Sequence, residues 1–333
     1  MLSQGLLWQN VTDMNKTGIA VAGTLLVDKI NQISAYPALG ELTKILSVSD
    51  SVGGCVPNTG IDIKRLDPTI PVKAVGKIGN DPEGDLLINI LKDNAVDTSF
   101  LVRSDIPTSF TEVMSIVGGQ RTFFTYPGAC DDFSYEDVDF DNLDVKMLHL
   151  GYFLLLDKID NGDGLKILRK AKEFGIKTSI DLVSENSNRY DVVKECLPYI
   201  DNVIINEHEA GMIAGMEPRR ENLENIARAI KDMGVSERVI IHMPEIGVCL
   251  SENGFFKLKS WELPKGFIKG KTGAGDAFCA GALIGIYRNL DEMSILTLAS
   301  KAATASLSAP DAISGMTSEK EIDILCKKLN IEF

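Results

Sequence analysis

Short apolar runs recur along the chain and predict buried strands. The first run ends in Gly23, and the third holds one histidine, His149, which we interpret as a core side chain rather than a ligand. The predicted strands cover residues 18–23, 72–78, 147–150, 177–182, 202–205 and 239–241.

Segments with helical spacing of apolar residues follow these strands. After the second strand, Asp81 suits the N-cap and Pro82 the first helical position, and apolar residues recur at helical spacing over 86–91. Further helices are predicted at 164–174, 275–288, 293–307 and 319–328. Strands that alternate with helices predict an α/β fold, in which a parallel sheet is covered on both faces.

Two regions, at about 29–52 and 99–127, break this alternation. Both contain stretches in which apolar and polar residues alternate, and glycines at 118–119 fit a hairpin turn. We interpret them as antiparallel strands with one exposed face. They predict a small β-lid, built from two insertions into an α/β domain that spans 17–333.

Composition excludes several classes of protein. The net charge of −13 argues against nucleic acid as a partner, because binding to phosphates needs a basic surface. No apolar stretch is long enough to predict a membrane-spanning helix. Residues 1–16 lack the basic start and apolar core of a secretion signal.

The six cysteines are widely separated and form no Cys-x-x-Cys pair. We interpret them as reduced, buried thiols of a cytoplasmic protein. Their spacings do not match a zinc site, and the three histidines form no ligand pattern.

The segment 271–278 carries the strongest chemical signal. Gly273, Ala274 and Gly275 let the backbone turn sharply into a helix, whose free N–H groups and dipole can hold an anion such as a transferring phosphoryl group. Asp276 lies on the first turn of that helix, where a carboxylate can act as a base toward a hydroxyl group. A glycine-rich helix start with a helix-favouring acid is the alternative interpretation, and the P-loop spacing is absent.

Two earlier segments offer groups that could hold a polyol. In 51–58, paired glycines that include Gly54 permit a close backbone approach, and Asn58 carries both a donor and an acceptor. Asp28 follows a strand end in an apolar context and could accept hydrogen bonds from two hydroxyls. Taken singly, the two segments are better explained by a solvated asparagine and a surface acid.

Asn206 and Glu209 follow the end of a predicted strand, at the edge where parallel sheets bind ligands. They share one face of a helix start and could order water around Mg²⁺. The alternative is a helix N-terminus that carries acids for its dipole.

Together these four segments, in this order, resemble the ribokinase/PfkB family of carbohydrate and nucleoside kinases. The resemblance runs from about residue 18 to about 316, and the segments 75–81 and 119–123 are also similar to family segments. It implies a three-layer α/β/α body with a β-lid over the sugar site. It also implies transfer of the ATP γ-phosphate to a primary hydroxyl.

The resemblance assigns roles residue by residue. Asp276 becomes the base, and Gly273, Ala274 and Gly275 form the anion hole. Asp28, Gly54 and Asn58 hold the acceptor, with Arg121 as a further candidate. The residues implied for the nucleotide and its magnesium are Asn206, Glu209, His242 and Gly247, the first two acting on Mg²⁺ through water.

Three departures from the family pattern affect these expectations. The nucleotide loop at 242–247 keeps only its last glycine, and Pro244 removes a backbone donor. Gly270 stands where an acid often supports a potassium site, which leaves potassium dependence open. A run that often accompanies acidic substrates keeps only Asp181, so such substrates are less favoured.

The leading hypothesis is a sugar kinase, with a small sugar as partner and a possible homodimer through the β-lids. A nucleoside kinase of the same family is the nearest alternative. A sugar-binding or regulatory protein without turnover is a third, supported by the altered loop at 242–247 and opposed by Asp276 and its glycines.

Overall fold

The computed structural model describes residues 16–116, 120–184, 189–329 and 331. The glycine turn predicted at 118–119 lies outside these ranges, as does nearly all of the segment 1–16 that we examined for a secretion signal. Within the described ranges the chain forms thirteen strands. They are β1 Ile19–Ala22, β2 Leu26–Ile33, β3 Ile45–Gly53, β4 Val72–Gly79, β5 Asp97–Ser104, β6 Ser109–Ile116, β7 Arg121–Tyr126, β8 Met147–Phe153, β9 Lys177–Leu182, β10 Asn202–Asn206, β11 Arg238–Met243, β12 Ile246–Ser251 and β13 Gly254–Lys259.

The α-helices of the same ranges connect and cover these strands. They are α1 Cys55–Leu66, α2 Pro82–Asp93, α3 Gly128–Asp131, α4 Phe140–Leu143, α5 Gly164–Glu173, α6 Asp191–Lys194, α7 Glu207–Ala214, α8 Leu223–Asp232, α9 Ala274–Tyr287, α10 Glu292–Ser306 and α11 Glu319–Lys328. None of them combines the length and the apolar character needed to span a bilayer.

The main sheet has the strand order β13-β12-β11-β10-β9-β8-β1-β4-β5. All neighbours from β11 to β5 pair in parallel, which confirms the predicted mostly parallel sheet. The hairpin of β12 and β13 adds an antiparallel edge that the apolar pattern did not predict.

Alternate residues of the central strands face two separate apolar clusters. In β1, Ile19 and Val21 belong to one cluster, whereas Ala20 and Ala22 belong to the other. Because side chains alternate across a strand, the sheet is buried on both faces. Helices α1, α2, α9, α10 and α11 cover one face, and α5, α7 and α8 cover the other, which gives the expected three layers.

Four strands form a separate small sheet, in the order β3-β2-β6-β7. The pairs β2–β3 and β6–β7 are antiparallel as predicted, but the central pair β2–β6 is parallel. The prediction of a wholly antiparallel lid is therefore wrong at its centre. No hairpin joins β2 to β6, since β3, α1, β4, α2 and β5 lie between them, and their relative direction is set by packing.

The predicted insertion at about 99–127 needs a second correction. Its first strand, β5, pairs with β4 at the edge of the main sheet and does not join the small sheet. An alternating pattern suits either location, because an edge strand is also partly exposed. Here Phe100 and Leu101 pack against the cores on opposite faces of the main sheet.

Candidate active site at the carboxyl ends of the strands

The N-terminus of α9 begins at a glycine whose backbone is left-handed. Gly273 has φ 78°, and a Cβ atom there would lie 2.5 Å from Ala312 Cα. The turn bonds Ala274 N–H to Lys271 O, at 3.3 Å. This leaves the Gly275 and Asp276 amides as first-turn donors without a carbonyl partner in the described chain. Such donors, with the helix dipole, favour an anion.

Asp276 lies on that first turn, and its side chain is 5 % exposed. Its Oδ2 accepts hydrogen bonds from Asn58 Nδ2 at 2.9 Å and from the Tyr152 hydroxyl at 3.0 Å. Burial, and then the charge of Asp181, raises the pKa of Asp276 to about 7, although both hydrogen bonds oppose this shift. No described residue donates to Oδ1, so this oxygen is available to a hydroxyl group of a ligand.

The sequence did not identify Tyr152 as a partner of Asp276. Tyr152 lies near the carboxyl end of β8 with φ 55°, and its backbone N–H donates to Asp181 Oδ1 at 2.5 Å. The sequence carries one signal of such a role, a tyrosine near the carboxyl end of a buried strand. The partner of its hydroxyl, Asp276, lies 124 positions further along the chain, and no local pattern connects the two.

The segment before α1 brings Asn58 to the base. Gly54 has φ 92°, and a Cβ atom there would lie 2.5 Å from Thr24 O, so no other residue fits without movement. Asn58 then lies one turn into α1, as predicted. Its Nδ2 holds Asp276, while its buried Oδ1 has no hydrogen-bond partner among the described residues. An orphaned buried acceptor of this kind fits a ligand hydroxyl.

The small sheet contributes Asp28 and Arg121. Burial raises the pKa of Asp28 to about 6, and the positive charge of Arg121 acts in the opposite direction. Arg121 Nη1 lies 3.3 Å from Thr272 Oγ1, just before the N-terminus of α9. In register, Asp28 is opposite Thr111, and Thr111 is opposite Thr125, so one face of the small sheet presents a carboxylate and two hydroxyls.

A cavity of about 610 Å³ borders the other side of the α9 N-terminus. It is lined by residues that include Asn206, His242, Gly247 and Gly275. The His242 ring packs against Phe278 with centroids 4.8 Å apart, and burial lowers the pKa of His242 to about 4. The imidazole is therefore neutral near pH 7.

Asn206 and Glu209 form a capping box at the N-terminus of α7. Asn206 Oδ1 accepts from the Glu209 N–H at 2.9 Å, and Glu209 Oε2 accepts from the Asn206 N–H at 3.1 Å. The second carboxylate oxygen accepts from Ser184 Oγ at 2.8 Å. Burial raises the pKa of Glu209 to about 7. Because these oxygens are already engaged, the pair fits a metal ion only through water.

Two positions that depart from the family pattern, Pro244 and Gly270, lie in the loops before β12 and α9. Pro244 lies in the turn between β11 and β12 and lines the cavity. At Gly270, a Cβ atom would lie 2.7 Å from Pro310 O and 2.8 Å from Ala309 O. A larger residue at this position would require the loop at 309–310 to move.

Comparisons with known proteins identify the family and the fold. The family described as pfkB family carbohydrate kinase matches residues 17–319. A ribokinase from Arabidopsis thaliana is 24% identical over 325 residues, covering 96% of this chain and 83% of that protein. An adenosine kinase from Saccharomyces cerevisiae is 27% identical over 279 residues, covering 80% of this chain and 81% of that protein.

Among solved structures, Arabidopsis thaliana ribokinase complexed with ribose and ATP superposes with a TM-score of 0.79. The match covers 94% of this chain and 99% of that one at 21% identity, and it concerns the fold. The family match spans most of the sequence, including all four segments that build the site. The chain belongs to the pfkB family of carbohydrate kinases.

Proposed function

We propose that this protein is an ATP-dependent sugar kinase that transfers the γ-phosphate to a primary hydroxyl, with Asp276 as the base. One observation carries the proposal: Oδ2 of Asp276 is held by two donors, while Oδ1 is open beside unpaired helix amides. A carboxylate in this position can accept a hydroxyl proton as the oxygen attacks phosphorus. The amides can stabilise the charge that develops on the phosphoryl oxygens.

The nucleotide would occupy the cavity next to α9. Its volume of about 610 Å³ lies in the range of small-molecule sites, and it ends at Ala274 and Gly275. The neutral His242 and Phe278 supply an uncharged surface on one side. Asn206 and Glu209 would hold Mg²⁺ through water, and the ion would neutralise phosphate charge.

The acceptor would lie between α1 and the small sheet. Asp28 and Asn58 Oδ1 would accept hydrogen bonds from sugar hydroxyls, and this would place one hydroxyl at Asp276 Oδ1. Arg121 links the small sheet to Thr272, so closure of this sheet over the sugar would exclude water from the reaction.

The aromatic residues of the small sheet lie on both of its faces. Strand register places Phe110, Phe124 and Tyr126 on the face opposite Asp28 and Thr111, so these three are not available to stack on a nucleobase held at Asp28. Phe123 lies on the same face as Asp28, so the panel of acceptors described below has to separate a sugar from a nucleoside. Tyr152 is engaged with Asp276.

The experiment that tests the proposal is a panel of sugars and nucleosides assayed by ADP release. We expect turnover with at least one sugar, and Asp276→Asn should lower kcat by about 10²–10⁴-fold. Asp291→Asn, at an exposed N-cap that asparagine also satisfies, is the matched control and should keep activity.

Two outcomes would contradict the proposal. Full activity of a folded Asp276→Asn variant would remove Asp276 as the base. ADP release from none of the compounds, with sugar binding detected by calorimetry, would favour the alternative of a binding or regulatory protein.

A further inference from the structure

Behind the base, a histidine, an aspartate and a cysteine from three separate elements meet in the interior. His149 is on β8, Asp181 on β9 and Cys279 on α9, and all three are buried. One ligand atom from each lies within 4.8 Å of the others. No role in the proposed phosphate transfer requires a thiol or an imidazole here.

One nitrogen, His149 Nε2, is close to both other groups. It lies 3.4 Å from Asp181 Oδ2 and 3.5 Å from Cys279 Sγ. A neutral imidazole nitrogen either donates or accepts a proton, so it cannot donate to the carboxylate and accept from the thiol at once. With the proton on Nε2, the ring donates to Asp181 and can accept from Ser179, and the thiol, a weak donor, has no acceptor at Nε2.

We propose that His149, Asp181 and Cys279 form a buried binding site for a thiophilic divalent cation of the zinc class. A cation would engage all three groups at once, because the nitrogen lone pair, the carboxylate and the thiolate would face one point. Zinc–ligand distances in a tetrahedral site place nitrogen and oxygen about 3.4 Å apart, and nitrogen and sulfur about 3.6 Å apart. The two observed separations agree with these values within about 0.1 Å.

The surroundings of the three groups match those of metal ligands. His149 Nδ1 lies 3.0 Å from Ser179 Oγ, and a hydroxyl that accepts from Nδ1–H leaves Nε2 free to bind. Asp181 Oδ1 accepts the Tyr152 N–H, which leaves Oδ2 directed at the cluster. One carboxylate and one thiolate together balance a divalent charge, so the occupied site would be neutral.

The sequence did not predict this site, because its ligands are separated by 32 and 98 positions, from 149 to 181 and from 181 to 279. No spacing motif connects them. The cluster appears only when β8 and β9 pair and α9 packs on the sheet. A cation there would join these three elements and stabilise them.

Cobalt(II) is the direct probe, because a cobalt–thiolate bond absorbs in the near ultraviolet. The chelator-treated full-length chain, without nucleotide or magnesium, should take up one equivalent of Co²⁺ with this band. Zn²⁺ should displace the cobalt and raise the Tm. Binding at Asn206 and Glu209 would give no thiolate band, so the spectrum distinguishes the two locations.

Cys279→Ser should abolish the thiolate band, whereas Cys196→Ser, at a buried cysteine on the other side of the sheet, should keep it. Asp181→Asn should retain the band while weakening Co²⁺ binding more than about 10-fold. The wild-type titration alone can overturn the proposal, even if a variant fails to fold. No thiolate band in the wild type, or a band that survives Cys279→Ser, would do so.

Discussion

A single carboxyl group, that of Asp276, combines two properties that oppose each other. Burial and the nearby Asp181 favour its neutral form, whereas hydrogen bonds from Asn58 and Tyr152 favour the charged form. The resulting pKa of about 7 lies near the operating pH, where a general base is most effective.

The pH dependence of kcat should report this balance. Asp276 acts as a base only when deprotonated, so kcat should rise with pH through about 7. Tyr152→Phe removes one donor to the carboxylate and should move the midpoint upward by roughly one pH unit. Steady-state rates of this variant should therefore show the largest loss of activity near pH 6 and recovery to the wild-type rate near pH 9. An unchanged midpoint would mean that the tyrosine does not tune the base.

Asp62 should make stability depend on pH in a defined direction. It is fully buried on α1, and neither carboxylate oxygen has a hydrogen-bond partner in the described chain. Burial, followed by the charge of Asp276, raises its pKa well above the usual value. A raised folded-state pKa means that stability is highest below the unfolded pKa, about 4, and falls as pH rises above it.

Asp62→Asn removes this titration and keeps the shape of the side chain. The Tm of the variant relative to wild type should therefore increase steadily from pH 4 to pH 8. Asp67→Asn is the matched control, because burial raises the pKa of Asp67 but hydrogen bonds from Thr69 and Arg288 outweigh it and lower the pKa. Its Tm relative to wild type should fall as pH rises to about 5 and stay level from there to pH 8. A constant difference in Tm for Asp62→Asn would contradict the interpretation.

For individual residues, the sequence identified side chains that lie in a recognisable motif and missed the side chains that contact them. Asp28, Asn58 and Asp276 are marked by adjacent glycines or by their order along the chain. Tyr152 and Asp62 have no such mark. Their significance comes from which distant side chains the fold places beside them, and local patterns do not contain that information.

Among the elements, α9 depends most on one backbone conformation. Gly273→Ala introduces a Cβ atom 2.5 Å from Ala312 Cα at a left-handed position. Gly266→Ala is the matched control, since Gly266 has φ 81° and nothing lies within 4 Å of its added Cβ. Both variants incur about 1–2 kcal/mol for the left-handed backbone.

Only Gly273→Ala should also displace the first turn of α9. We expect its kcat to fall by about 10²-fold, as a misplacement of roughly 1 Å would produce. Gly266→Ala should retain kcat, and denaturant unfolding should show the smaller loss of stability for it. Equal kcat values for the two variants would argue against a catalytic role for the α9 N-terminus.

Strand membership shows why elements were easier to predict than their pairing. The apolar runs of β1, β10 and β11 report burial on both faces, and the structure confirms them. The alternation of apolar and polar residues in β5 indicates only a partly exposed strand, and an edge strand of either sheet is partly exposed. The direction of β6 relative to β2 depends on the path of the chain between them, and side-chain pattern carries no record of it.

In the whole molecule, the small sheet joins the body through buried apolar residues at its base, Val27 and Val52, and through polar contacts further out. Lys29 Nζ lies 2.6 Å from Glu83 Oε1 of α2, and Arg121 reaches Thr272 before α9. Partly exposed contacts of this kind contribute little stability. We therefore expect closure over a ligand to bend the small sheet about this buried base.

The edges of the small sheet expose an unusual amount of apolar surface. Val48 on β3 is 70% exposed, and Phe123 and Phe124 on β7 are 58% and 60% exposed. The connection between β2 and β3 adds Leu39 and Leu42, at 105% and 91%. Edge strands and apolar patches of this kind mark surfaces that pair with another chain. We propose that a second copy covers them.

Light scattering should then give the mass of a dimer at micromolar concentration. Val48→Lys places a charge on the exposed edge and should weaken the dimer by at least about 10-fold, because a buried charge without a partner costs well over 1.4 kcal/mol. Ile324→Lys, at a 45%-exposed site on α11 of the body, is the matched control and should leave the mass unchanged. A monomeric wild type would exclude this dimer, and equal effects of the two variants would place the interface elsewhere. In either case the apolar surface of the small sheet would be covered only when the sheet closes over a bound sugar.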